Sequence, residues 1–177
     1  MRLEKGFVHI YYGDGKGKTT AALGAAIRVS GAEIPVLFVQ FLKSRPTSEL
    51  DALDKAEGIT VLRSRGSGKF LADMTPSEKQ QEKSRQENLF NTAVDYTAGG
   101  RFGMVVLDEL LDAVAEDMVG EGEVCRFLEE RPSDIEVVIT GHKPVQSIIR
   151  YGDYITEMKC ISHPYDRGVS ARKGIEY

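Results

Sequence analysis

The chain has 177 residues, 41 % of them hydrophobic and 28 % charged, which is the make-up of an ordinary globular protein and fits one domain over residues 1–177. Its formal net charge of −4 excludes a general nucleic-acid binder, which would present a basic surface. No apolar run has the length of a membrane span or the form of a secretory leader, so a cytoplasmic protein is expected.

Residues 7–12, Phe-Val-His-Ile-Tyr-Tyr, read as a strand. Gly13-Asp14-Gly15-Lys16-Gly17-Lys18-Thr19-Thr20 follows and leads into a helix over residues 18–30. Strand, glycine loop, Gly-Lys-Thr and helix form a phosphate cradle. Glycines let backbone N–H groups converge on phosphate oxygens, and the helix N-terminus adds donors and positive potential. Lys18 supplies a point charge and Thr19 a hydroxyl for Mg²⁺. The usual loop places four residues between its first glycine and Gly-Lys. Here that glycine would fall at Tyr12, so with Gly13 in the role the loop is one residue short. The shortening hints at chemistry other than attack on the terminal phosphate.

Residues 36–41 predict a strand covered on both faces, with Gln40 near its end. A short helix is expected over 49–56 and a strand over 59–62, and then a basic, glycine-rich loop over 63–69. Gln40 and Glu49 are placed to meet a ligand. Thr75-Pro76-Ser77-Glu78 is a capping box with proline at the first helical position, opening a helix to about Ala98. Its first half is polar and is expected to be solvated, while Leu89, Phe90, Ala93, Val94 and Tyr96 should pack.

Residues 104–107 form a buried strand that ends in Asp108-Glu109, two carboxylates able to hold a Mg²⁺ opposite Thr19. A helix over 121–130, a strand over 135–140, a helix over 144–150 and a strand over 154–158 complete the chain. Thr140-Gly141-His142 leaves its strand toward the same edge as the cradle. Arg28 either reaches a phosphate or solvates the surface of its helix. Cys125 and Cys160 have no metal-ligand spacing, and their neighbours predict buried thiols. The alternation predicts an α/β fold, a mostly parallel sheet with helices on both faces, like that of the P-loop NTPases. Ligands in such sheets bind at the carboxyl ends of the strands. No residue pattern supplies a protein nucleophile, which favours a second substrate that brings its own.

Four blocks resemble the P-loop ATP:corrinoid adenosyltransferases: residues 13–24; Val39-Gln40-Phe41-Leu42-Lys43; Val105 to Leu110; and the tail from His163-Pro164-Tyr165-Asp166-Arg167-Gly168-Val169 to Gly174-Ile175-Glu176-Tyr177. The resemblance implies transfer of the 5′-deoxyadenosyl group of ATP to the Co(I) of a reduced corrinoid, with release of triphosphate. It implies ATP held in reversed orientation, which the short loop suits. Carried over, Gly13, Asp14, Gly15, Lys16, Gly17, Lys18, Thr19 and Thr20 bind the triphosphate. Thr19 and Glu109 hold Mg²⁺, Asp108 supports that metal shell, and Arg28 matches an arginine near the phosphates. Lys18, Thr19 and Glu109 are then the catalytic group. Phe70, Gln40 and His142 are the candidates for the corrinoid. The resemblance further implies an external reductant, usually a flavoprotein, and a homodimer, with no nucleic-acid or membrane partner.

Three departures stand out. The sequence enters its first strand within a few residues of Met1, so an N-terminal cover over the site is expected to be missing or built otherwise. Relatives of the enteric type place phenylalanine and tryptophan after a Gly-x-Gly to displace the corrinoid's lower ligand, whereas Gly66-Ser67-Gly68-Lys69-Phe70-Leu71 offers one aromatic. The usual Thr-Gly-Arg is Thr140-Gly141-His142, and an imidazole does not reproduce the arginine fork. Two other readings stay open on residues alone. One is an ordinary P-loop NTPase that cleaves the terminal phosphate. The other is an ATP- or corrinoid-binding protein without turnover.

Overall fold

A computed structural model describes residues 3–43, 48–64 and 66–175; Arg65 of the basic loop and Glu176-Tyr177 of the tail block lie outside the described residues. Six strands, β1 (Val8–Tyr12), β2 (Val36–Gln40), β3 (Ile59–Arg63), β4 (Met104–Asp108), β5 (Glu136–Gly141) and β6 (Tyr154–Glu157), form one sheet in the order β3-β2-β4-β5-β1-β6. Every pairing is parallel, with Val8 opposite Val137, Val36 opposite Met104 and Leu107 opposite Ile139. All strands therefore deliver their carboxyl ends to one edge.

The helices are α1 (Lys18–Ser30), α2 (Ser48–Leu53), α3 (Pro76–Ala98), α4 (Leu110–Ala115), α5 (Glu121–Glu130) and α6 (Gln146–Ile149). Strand side chains alternate between faces, so each central strand feeds two cores. On one face Val36, Phe38, Met104, Val106 and Val138 meet Ala22 and Ala26 of α1 and Leu53 of α2. On the other, Leu37, Val39, Val105, Leu107, Val137 and Ile139 meet Leu89 and Phe90 of α3, Leu110 and Leu111 of α4, Phe127 and Leu128 of α5, and Ile148 of α6. Double coverage is why β2 and β4 are buried at every position and read as continuous apolar runs. β6 closes the β1 side of the sheet as an edge and is exposed throughout.

Four expectations change. Tyr96 is 43 % exposed and does not enter the core, its ring stacking on Phe102 at 6.3 Å instead. The polar first half of α3 is not uniformly solvated: Glu82 is 4 % exposed and Gln86 1 %. The reason is a polar latch. Gln86 Nε2 donates to Glu82 Oε1 and, at 3.1 Å, to Ser64 Oγ, while Gln86 Oε1 accepts from the N–H of Leu42 at 3.3 Å. Arg85 covers Glu82 through both Nε and Nη2 at 3.0 and 2.8 Å. The segments leaving β2 and β3 thus lie over α3 and satisfy what they bury. Cys160 is exposed and Cys125 only partly buried, because Cys160 follows the edge strand and not a core strand. Finally, α4 was not expected. Its run is short, and it starts only after Glu109 turns into the left-handed region at φ 62°.

The capping box at α3 forms as read. Thr75 Oγ1 accepts from the N–H of Glu78 at 3.3 Å, and Glu78 Oε2 accepts from the N–H of Thr75 at 2.8 Å. Lys69 first, then Thr75, holds the Glu78 carboxyl down at about 2. That contribution is fully present above the ordinary carboxyl value of 4.5 and fades as the pH falls toward 2. We expect Thr75→Ala to cost about 1 kcal/mol of stability by urea denaturation. An unchanged midpoint would contradict the box as the anchor of this helix.

Candidate active site

The loop between β1 and α1 curls through two left-handed glycines, Gly13 at φ 118° and Gly17 at φ 116°. Its floor is the chain that leaves β6. The N–H of Gly15 donates to the carbonyl of Met158 at 2.8 Å, and Asp14 Oδ1 accepts from the N–H of Cys160 at 3.0 Å. A Cβ on Gly13 would stand 2.2 Å from the Met158 oxygen. The N–H of Gly13 is tied at 3.0 Å to the carbonyl of His142. Lys18 Nζ donates to the carbonyls of Gly13 and Gly15 at 2.7 and 2.8 Å, so its ammonium lies across the loop's own mouth. Burial pulls the Lys18 pKa down, against the opposing pull of Asp112, Asp14, Glu109 and Asp108.

Asp108, at the end of β4, is fully buried. Its Oδ1 accepts from the hydroxyls of Thr19 at 2.9 Å and Thr140 at 2.8 Å. Its Oδ2 accepts from Lys43 Nζ at 3.1 Å and, at 3.5 Å, from Gln40 Nε2. Thr140 Oγ1 also accepts from the N–H of Glu109 at 2.8 Å, fixing the left-handed turn that aims the Glu109 carboxylate into the cavity. Burial, and then the neighbouring Asp108, raises the Glu109 pKa, with Lys43 opposing. On Lys43 itself burial acts downward, but Asp108 and Glu109 outweigh it and raise the pKa.

A cavity of about 550 Å³ opens over Lys16, Lys18, Thr19, Thr20 and Glu49. A second, of about 770 Å³ and more apolar, is lined by Leu42, Phe70, Leu71 and Met74. Lys43, Glu109, Asp112 and His142 border both. Phe70 is 64 % exposed and overlies the second cavity. His142 is held at that border: its N–H donates to both carboxylate oxygens of Asp112 at 3.0 and 3.1 Å, and its Nδ1 lies 3.0 Å from Asp112 Oδ2.

The sequence matches the family described as ATP:corrinoid adenosyltransferase BtuR/CobO/CobP over residues 4–177. The chain belongs to this family. It is 33 % identical to a corrinoid adenosyltransferase of Sinorhizobium sp over 177 residues, covering 98 % of this chain and 81 % of that one. It is 34 % identical to a corrinoid adenosyltransferase of Escherichia coli K12 over 175 residues, covering 98 % and 87 %. With the corrinoid adenosyltransferase CobA of Salmonella typhimurium the identity is 32 % over 181 residues, again covering 98 % and 87 %. The cytoplasmic domain of EssC superposes with a TM-score of 0.56 at 17 % identity, over 97 % of this chain and 34 % of that one, a likeness of fold alone. Among the described residues no helix is long and apolar enough to cross a membrane.

The structure gathers the cradle, Lys18, Thr19, Asp108, Glu109 and His142 around adjoining cavities, but two residues fall away. Arg28 is exposed in the last turn of α1, about 15 Å along the helix from Lys18 and directed away from the strands' carboxyl ends. A basic residue at a helix C-terminus complements the dipole there, which explains it without a phosphate. Gln40 is fully buried and borders neither cavity, so it backs Asp108 and does not meet a corrinoid. Sequence reasoning missed Lys43, Thr140 and Asp112. Lys43 stood inside a matched block, Thr140 preceded the histidine that drew attention, and Asp112 follows Glu109 by nearly one helical turn.

The floor under the cradle is testable. Gly13→Ala should weaken ATP binding at least tenfold by calorimetry, since a side chain there meets the Met158 carbonyl in a backbone conformation that disfavours it. Unchanged affinity would mean that the floor does not shape the loop.

Proposed function

We propose that this protein transfers the 5′-deoxyadenosyl group of ATP to the Co(I) of a reduced corrinoid and releases inorganic triphosphate. One observation carries the reading: a polar phosphate cradle and an apolar cavity meet along Lys43, Glu109, Asp112 and His142. An ordinary NTPase needs the first cavity only. The reaction needs both, because carbon and cobalt must meet where they join.

The electron pair of Co(I) attacks the 5′ carbon, the carbon–oxygen bond breaks, and the oxygen leaves on the triphosphate. Cobalt ends two electrons more oxidised, bonded to carbon. Backbone N–H groups of the loop other than those of Gly13 and Gly15, which His142 and Met158 already engage, and the Lys18 ammonium hold the triphosphate and receive its growing charge. Thr19, Asp108 and Glu109 present a hydroxyl and two carboxylates, hard oxygen donors suited to Mg²⁺. The site already accommodates a cation among them, since the Lys43 ammonium lies 3.1 to 3.3 Å from all three. When bound, Mg²⁺ supplies charge neutralisation of the phosphates. Holding the two substrates in line supplies up to about 7–11 kcal/mol through effective concentration.

Phe70 and its apolar neighbours would cover the corrinoid and exclude water from cobalt. With no tryptophan in the chain, Phe70, which lines the second cavity, would be the aromatic that displaces the lower axial ligand, and a flavoprotein would supply the electron that makes Co(I). Action as a homodimer belongs to the same reading.

Anaerobic mixing with Mg-ATP and chemically generated cob(I)alamin should yield the light-sensitive Co–C product and triphosphate, one for one. Lys18→Ala should lower turnover by about 10² or more. ADP and phosphate as products would favour the ordinary NTPase instead. Tight binding with no Co–C bond would favour a binding protein.

A further inference from the structure

Lys43 stands where the metal reading puts the metal. Its Nζ lies 3.1 Å from Asp108 Oδ2, 3.2 Å from Glu109 Oε1 and 3.3 Å from Thr19 Oγ1. Those are the three oxygen donors assigned to Mg²⁺. An ammonium and a dication cannot share one locus.

We propose that Lys43 is the resident counter-ion of the metal locus, holding Thr19, Asp108 and Glu109 together in the empty enzyme and yielding to the divalent cation only when triphosphate oxygens arrive to receive its ammonium. The inference rests on the metal assignment made under the proposed function and adds an order of loading to it.

Geometry supports a swing of the side chain alone. The Lys43 backbone is fixed on three sides. Its N–H donates to the carbonyl of Phe41 at 2.6 Å, its carbonyl accepts from Arg63 Nη2 at 3.0 Å, and the preceding Leu42, at φ 58°, is tied to Gln86. Lys43 borders both cavities, and its four-carbon stem has the rotatable bonds to carry the ammonium from the carboxylates toward phosphates seated in the first. The charge balance sets the order. With Lys43 in place the two carboxylates carry one net negative charge, a poor trap for a dication. Moving the ammonium off Asp108 and Glu109 without a new anion would strand it, whereas a triphosphate supplies that anion and completes the metal's oxygens. Among the described residues no group of three His, Cys, Asp or Glu side chains stands together as a metal site, so the rest of the shell comes from water or from the nucleotide's oxygens.

Mn²⁺ serves as the probe, measured by ultrafiltration first without nucleotide and then with ATP. Wild type should retain Mn²⁺ strongly only with ATP. Lys43→Gln should bind Mn²⁺ without nucleotide at least tenfold more tightly than wild type, and Mn²⁺ alone should raise its melting temperature. Lys43→Arg, which keeps a cation at the locus, should behave as wild type does. Lys43→Met gives the same reading should the glutamine variant fold poorly. Mn²⁺ retained with ATP but no gain in the Gln and Met variants would overturn the role of Lys43 and leave the metal assignment standing. No Mn²⁺ retained by wild type even with ATP would overturn the metal assignment, and the proposal with it.

Discussion

The Asp108 carboxylate, fully buried at the end of β4, is the constraint from which the site follows. An uncompensated carboxylate in such a place costs several kcal/mol, and truncating one partner of a buried charge costs about as much. Four donors compensate it, from α1 (Thr19), β5 (Thr140), β2 (Gln40) and the segment after β2 (Lys43). Satisfying one charge thereby sets the positions of the cradle, the neighbouring strand end and the base of the second cavity. Thr140 extends the arrangement, since its hydroxyl donates to Asp108 and accepts from the Glu109 N–H. The sheet's parallel register brings Thr140 beside Asp108, as Leu107 pairs with Ile139.

The cradle depends on a second contact between distant segments. β6 adds to β1 at the edge of the sheet, and its exit runs beneath the glycine loop at Met158 and Cys160. The short loop and the edge strand form one unit, held by backbone hydrogen bonds at Met158 and by the Asp14 carboxylate at the Cys160 N–H. The polar latch of Glu82, Arg85 and Gln86 plays the same part for the second cavity, fixing the segment that carries Leu42 and Lys43.

The fold was legible because its signals are local and repeated. Continuous apolar strands, the glycine loop before Gly-Lys-Thr and the capping box at Thr75 each act within a few residues. The cradle and the Asp108-Glu109 strand end were legible for the same reason. What stayed hidden was contact across the chain. Nothing near Gln86 in sequence announces Leu42, and nothing near Gly13 announces Met158. Lys43 was read as part of a matching block and not as a charge, because its partners lie 24 and 65 residues away. Arg28 misled for the opposite reason: closeness in sequence to Lys18 is distance along a helix. Gln40 lay close to the right strand end, but its side chain is covered there.

One structural measurement reaches the centre of the account, a crystal structure with Mg²⁺ and a non-reacting ATP analogue. The account predicts three phosphates seated on the loop from Gly13 to Thr20, with the ribose 5′ carbon turned toward the cavity under Phe70. Adenosine pointing away from that cavity, with the terminal phosphate presented to solvent, would contradict it.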